Sequence, residues 1–249
     1  MRAIRRVLVV GALSALVVAA VPFATAQTRT VTSVIGSAQG LTAALVIEPD
    51  VGVLNLDFGP APTVTLPPGG GNVSDQLLGV SESVSVVNLS AATLRTSAEG
   101  QLGPTGFATA ESVVQRLALN VLDGPIVQAE AINATCDSDL TGVTGSTTLV
   151  GASVLGTDLE AAPPPNTQFA VAINGFSVGV TLNRHVQNPD GSLSVTAVAL
   201  ELDLQAGPVA ITGSLSIGPA TCGVVEGEVP PPAPAPVPAP VTAQVRFTG

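Results

Sequence analysis

Along most of the chain, apolar and polar residues take turns with a period of two, the spacing that puts successive side chains on opposite faces of a strand. The segment "SVTAVALELDLQA" sets Val198, Leu200, Leu202 and Leu204 on one face and Ala199, Glu201 and Asp203 on the other. "AVAINGFSVGVTL" repeats the habit through Phe176, Val178, Val180 and Leu182. "SESVSVVNLSAATLRTSAEG" does so from Val84 and Val86 to Leu89. Residues 107–118, "FATAESVVQRLA", also place Phe107, Ala110, Val114 and Leu117 near helical spacing. The β context on either side favours a strand there.

Breaker clusters punctuate these runs: "GPAP", "PPGGGN", "GPTG", "APPPN" and "NPDG". Strands separated by Gly/Pro-rich turns predict an all-β fold, a single β-sandwich-like domain. In the cluster Asn188-Pro189-Asp190-Gly191, the fixed φ of Pro suits the second turn position and Gly suits a positive φ. A hairpin turn is therefore expected between a strand ending near Gln187 and one starting near Ser192. Its first strand carries the chain's single histidine, His185, expected on the solvated polar face with Thr181 and Asn183, opposite Leu182 and Val186.

The two ends of the chain break the pattern. Residues 1–26 place Arg2, Arg5 and Arg6 before an apolar run from Val7 to Ala20 and close on Ala24-Thr25-Ala26. That is the layout of a secretory signal peptide, and the run falls short of the roughly 20 residues of a spanning helix. No second long apolar stretch follows, so no transmembrane segment is expected after cleavage. The β domain is assigned to 27–225, and a Pro-rich spacer to 226–240, whose prolines cannot donate ladder hydrogen bonds. The last residues, 241–249, alternate again: Val241, Ala243, Val245 and Phe247 against Thr242, Gln244, Arg246 and Thr248. This end is expected either to stay loose or to add as a strand to an exposed sheet edge.

Signal removal leaves 18 acids against five arginines, a net charge of −13. Nucleic acid is not an expected partner, because it requires a positive face. The partner is left open, with a cell-envelope or other surface protein as the candidate. Six Phe with no Trp or Tyr disfavour carbohydrate recognition on aromatic platforms. Cys136 and Cys222 both lie in the exported part, where an isolated pair is most simply a disulfide. Metal ligation by these thiols lacks a second Cys or His nearby.

Candidate chemistry is sparse. His185, Asp190 and Ser192 sit close in sequence, but a nucleophile needs a base oriented by a third group, and no G-x-S-x-G accompanies them. The "DSDLTG" run offers Asp137, Asp139 and Thr141 as alternating oxygen ligands with Gly142 at the sixth position, as in the first half of a calcium loop. Thr148 stands at the twelfth position, where that loop would need a bidentate Glu. No cofactor is expected and no catalytic residue is assigned. The two readings carried forward are a secreted or cell-surface non-catalytic β domain with a structural or adhesive role, and a carboxylate-based, calcium-dependent extracellular hydrolase.

Five stretches, in order, carry a family resemblance: "SAQGLTAAL", "VQAEAINATC", "TTLVGASVLGTDLEAAPPPNT", "VTLNRHVQNPDGSLSVTAVALEL" and "IGPATCG". Spread over residues 33–223, they resemble the secreted actinobacterial proteins of the choice-of-anchor P family. The resemblance implies an exported domain held at the surface by differing C-terminal signals, with its two cysteines paired. It transfers no catalytic residue. The chain differs from the anchored members in having no LPxTG-like motif, terminal apolar helix or basic tail.

Overall fold

The computed structural model describes residues 29–49, 52–121, 124–173, 176–206 and 209–228. The expected signal peptide and terminal segment lie outside these residues, as does the spacer beyond Glu228. Among the described residues thirteen strands follow in order: β1 (Arg29–Glu48), β2 (Leu54–Thr65), β3 (Gly71–Val84), β4 (Val87–Gln101), β5 (Phe107–Val121), β6 (Gly124–Asp139), β7 (Gly142–Val150), β8 (Ser153–Val154), β9 (Thr157–Asp158), β10 (Thr167–Ile173), β11 (Phe176–Gln187), β12 (Leu193–Ala206) and β13 (Val209–Glu228). Among the described residues there is no helix, and hence none long and apolar enough to cross a membrane.

Two antiparallel sheets pack face to face as a β-sandwich. The first runs β10-β11-β12-β13-β1-β2, so the first and last strands are neighbours, and the second runs β3-β4-β5-β6 and ends in β7 and β8-β9. β1 lies over β4 and β5, β13 over β5 and β6, and β12 over β6 and β7. The core between them is Leu, Val, Ile and Ala, including Leu41, Leu45, Ile47, Leu89, Leu94, Leu119, Ile132, Leu200 and Ile211, all fully buried. Each such Leu or Ile stabilises by about 1.5–3 kcal/mol relative to an exposed one.

A straight alternation does not survive the length of these strands. On β5 the buried positions are Ala108, Ala110, Ser112 and Val114, then Leu117, Leu119 and Val121; the switch falls at Arg116, whose φ is +50°. On β12 it falls between Ala197 and Val198, both buried; on β13 at Gly218, with φ +66°; on β11 at Asn183, with φ +47°. In the first sheet the switches form one line, since Leu41 pairs Ile217, Ile217 pairs Val198 and Val198 pairs Leu182. The second sheet has its own line at Leu94, Val114 and Ile132. Neighbouring strands flip at the same level, so the register holds across the line. Residues in the left-handed region re-aim the pleat, as at a bulge, so that both halves of a long strand face the same core.

Three sequence expectations change. The run read as one strand through Val84 and Val86 is a hairpin: Val84 pairs Val87, and Ser85 takes φ +52° to close it. "AVAINGFSVGVTL" likewise spans two antiparallel strands, with Ile173 opposite Phe176. The domain also extends past 225, because Glu226, Gly227 and Glu228 pair with Val31, Thr30 and Arg29. An Arg29–Glu226 ion pair sits at this corner.

Candidate functional site

The histidine strand departs most from its expectation. Because the pleat resets at Asn183, that residue is only 4% exposed, while Val186 is 40% exposed. His185 is half-buried rather than solvated, and its Nε2 lies 3.4 Å from the position a Cβ on Gly145 of β7 would take. The carbonyl of Pro163 can only accept, so it fixes the Asn183 amide with Nδ2 toward it at 3.0 Å. Oδ1 then accepts from Thr147 Oγ1 at 3.2 Å and His185 Nε2 at 2.9 Å. The His185 backbone N–H donates to Asn166 Oδ1, and the Asn166 N–H donates to the Asn183 carbonyl. This network fastens β11 to β7 and to the crossover from β9 to β10. Burial holds the imidazole below its ordinary pKa.

Asp190 and Ser192 meet each other, apart from the histidine. Asp190 Oδ1 accepts from the Ser192 hydroxyl at 2.7 Å and its N–H at 3.0 Å. These bonds hold the carboxyl below the usual carboxylate range. The turn forms as its chemistry requires: the Asn188 N–H donates to the Ser192 carbonyl, the Gly191 N–H donates to the Asn188 carbonyl, and Gly191 has φ +86°. The Asn188 amide donates to Ser192 and Ser194, and Ser194 bonds Thr221 on β13. Among the described residues no hydrogen bond joins His185 to Asp190 or Ser192.

Asp137, Asp139 and Thr141 sit where β6 turns into β7, beside a hollow of about 480 Å³ that Phe107 and Val143 also line. Asp139 Oδ1 accepts from the Thr141 hydroxyl at 2.6 Å, the Thr141 N–H at 2.7 Å and the Gly142 N–H at 3.2 Å. The Thr141 hydroxyl and N–H depress the Asp139 pKa. One carboxylate oxygen is thus spent on closing the turn. Among the described residues no three His, Cys, Asp or Glu side chains converge as a metal site.

Cys136 on β6 and Cys222 on β13 form a disulfide between the two sheets, both fully buried, with Cα atoms 5.6 Å apart. The bond stands beside Leu193, at the end of the sandwich that carries the Asn188–Gly191 turn.

The sequence reading missed the ordering of the outer face of the second sheet. Cross-strand register places Ser74, Ser97, Glu111, Thr135 and Ser146 in one row over β3 to β7. The next row is Asn72, Glu99, Thr109, Asp137 and Thr144. A shallow hollow of about 310 Å³ lies among Ser97, Glu99, Thr109, Glu111, Thr135 and Asp137. The Asn133 amide donates to Glu111 at 3.0 Å, and Thr135 and Ser146 share a hydroxyl bond of 2.8 Å. Polar alternation was the available signal, but it names a face and not its rows.

The class that fold and face define is a disulfide-linked antiparallel β-sandwich with a hydroxyl- and carboxylate-bearing outer face. No family model, curated protein or solved structure matches the chain.

Proposed function

We propose that the protein is an exported, non-catalytic β domain with a structural or adhesive role, secreted or held at the cell surface, as its resemblance to the choice-of-anchor P proteins suggests. The observation that carries this reading is the in-register polar face over β3 to β7. Five strands spaced about 4.8 Å apart present hydroxyls and carboxylates as an ordered plane, suited to a broad polar partner surface. A partner protein of the envelope, bearing cationic or hydrogen-bonding groups, is the chemistry that this face complements. The sandwich supports the role mechanically, because a buried inter-sheet disulfide ties its two layers.

The test is fractionation of the producing cells into medium, wall and membrane, followed by crosslinking. A variant combining Glu99→Lys, Glu111→Lys and Asp137→Lys should fold with a similar melt and lose its crosslinked partner or its retention. Unchanged crosslinks in a folded triple variant would remove the face from the reading.

A further inference from the structure

The two sheets leave their edges unequally protected. β2 carries Pro60 and Pro62, which remove donors from that edge. β7 is covered in part by the crossover, since the Leu149 N–H donates to the Ala161 carbonyl. β10 is seven residues long and β9 two. β3, with 14 residues, has backbone ladder partners only on β4 among the described residues. Its inward side chains Val73 and Leu77 are only partly covered by the core, the exposed Asp75 stands between them on the same face, and Leu78 is 69% exposed. A long edge of this kind is a template for another strand.

We propose that this edge accepts the segment 241–249 of a second copy of the chain, giving head-to-tail assembly by strand addition. Residues 241–249 alternate apolar and polar, so Val241, Ala243, Val245 and Phe247 would extend the cover over Val73 and Leu77. Thr242, Gln244, Arg246 and Thr248 would then join the polar outer face beside Ser74 and Gln76. Charge selects this occupant over a second β3. The β3 strand holds Asp75 and Glu82 and no basic residue, so two such edges repel, whereas 241–249 holds Arg246 and no acid.

Spacer length allows a second copy to be reached. The last described residue, Glu228, lies at the same end of the sandwich as the start of β3: Val31 bridges Gly103, and the Val34 N–H donates to the Pro68 carbonyl. From strand and sheet spacings, the direct path from Glu228 to the β3 edge is roughly 20 Å. Residues 229–240, rich in proline, would reach about 37 Å at the polyproline rise. A reach of that order is enough to carry the strand to a neighbour's edge. A head-to-tail contact of this kind generates a closed ring where the rotation closes and an open chain where it does not. The inference is independent of what the polar face binds.

Sedimentation velocity on the exported chain, residues 27–249, tests it. Raising the concentration about tenfold should shift the full chain to larger species, while a chain ending at Val229 stays at monomer mass. Val245→Pro should abolish the shift, and excess free peptide 241–249 should reverse it. Hydrogen exchange should slow over residues 72–83 only in the assembled form. A full chain that stays monomeric, a truncated or Val245→Pro chain that associates equally, or slowing at β7 or β10 instead would each overturn the proposal.

Discussion

The Nε2–H of His185 donates to Oδ1 of Asn183 at 2.9 Å, and the asparagine that accepts it is nearly inaccessible and stands at φ +47°. An Asn tolerates that backbone better than most residues, and its amide joins Thr147, Pro163 and His185 at once. Asn183→Ala should therefore lose about 2–4 kcal/mol, from unpaired buried groups and the poorer tolerance of alanine for the left-handed region. Asn183→Gly relieves the backbone and keeps the polar loss. Urea unfolding of both variants separates the two causes, and full recovery in the glycine variant would show that the hydrogen bonds contribute nothing.

His185→Ala should cost about 1 kcal/mol, more than a solvated side chain would, because a partly buried hydrogen bond is lost. The pH dependence has a definite sign. Burial lowers the folded pKa below the unfolded value near 6.5, so the unfolded chain takes up the proton first as pH falls. Stability is complete above about pH 6.5 and declines through the window beneath it, levelling off below the folded pKa. His185→Gln should flatten this slope between pH 7.5 and 5, where no other imidazole titrates. Parallel slopes for the two proteins would contradict the burial.

Replacing Cys136 and Cys222 by Ser should cost about 4 kcal/mol, since the bridge spans 86 residues and restrains the unfolded chain. Intact mass should show the oxidised chain two hydrogens below its reduced value. Alkylation of the native protein without reductant would contradict the bond.

Gly145→Ala should lose about 1–3 kcal/mol by overpacking, because its β-carbon would collide with Cγ2 of Val195 where β7 crosses β12. Val195→Ala in the same chain should restore part of that loss. Additive losses in a double-mutant cycle would show that the contact is not the cause.

Acid should act through the two turn aspartates. Both have folded pKa values below the ordinary one, so their contribution is present above about pH 3.8 and is lost as pH falls through the folded values. Asp139→Asn should reduce the acid sensitivity of unfolding. With its Oδ1 engaged in the turn, a chelator should leave the thermal melt unchanged; a drop in Tm on chelation would restore a calcium role for the Asp137–Thr141 loop.

The sequence by itself determined the class of fold, because a period of two with Val, Leu and Ile on one face has few outcomes other than packed sheets. It also determined the Asn188–Gly191 turn, where Pro and Gly act through their own backbone geometry, and the pairing of Cys136 with Cys222, the two cysteines of the chain. The strand over 107–118 was legible from its β surroundings despite a helical spacing. What only the tertiary structure decided is which way each half of a long strand faces. A period-two count runs on without limit, whereas strands of up to 20 residues packed against a second sheet must reset at Asn183, Arg116 and Gly218 to keep both halves on one core. That reset turned Asn183 and His185 inward and left Val186 outside. The polar rows from Ser74 to Ser146 were decided in the same way, since register between strands is a long-range relation that no single strand's sequence contains.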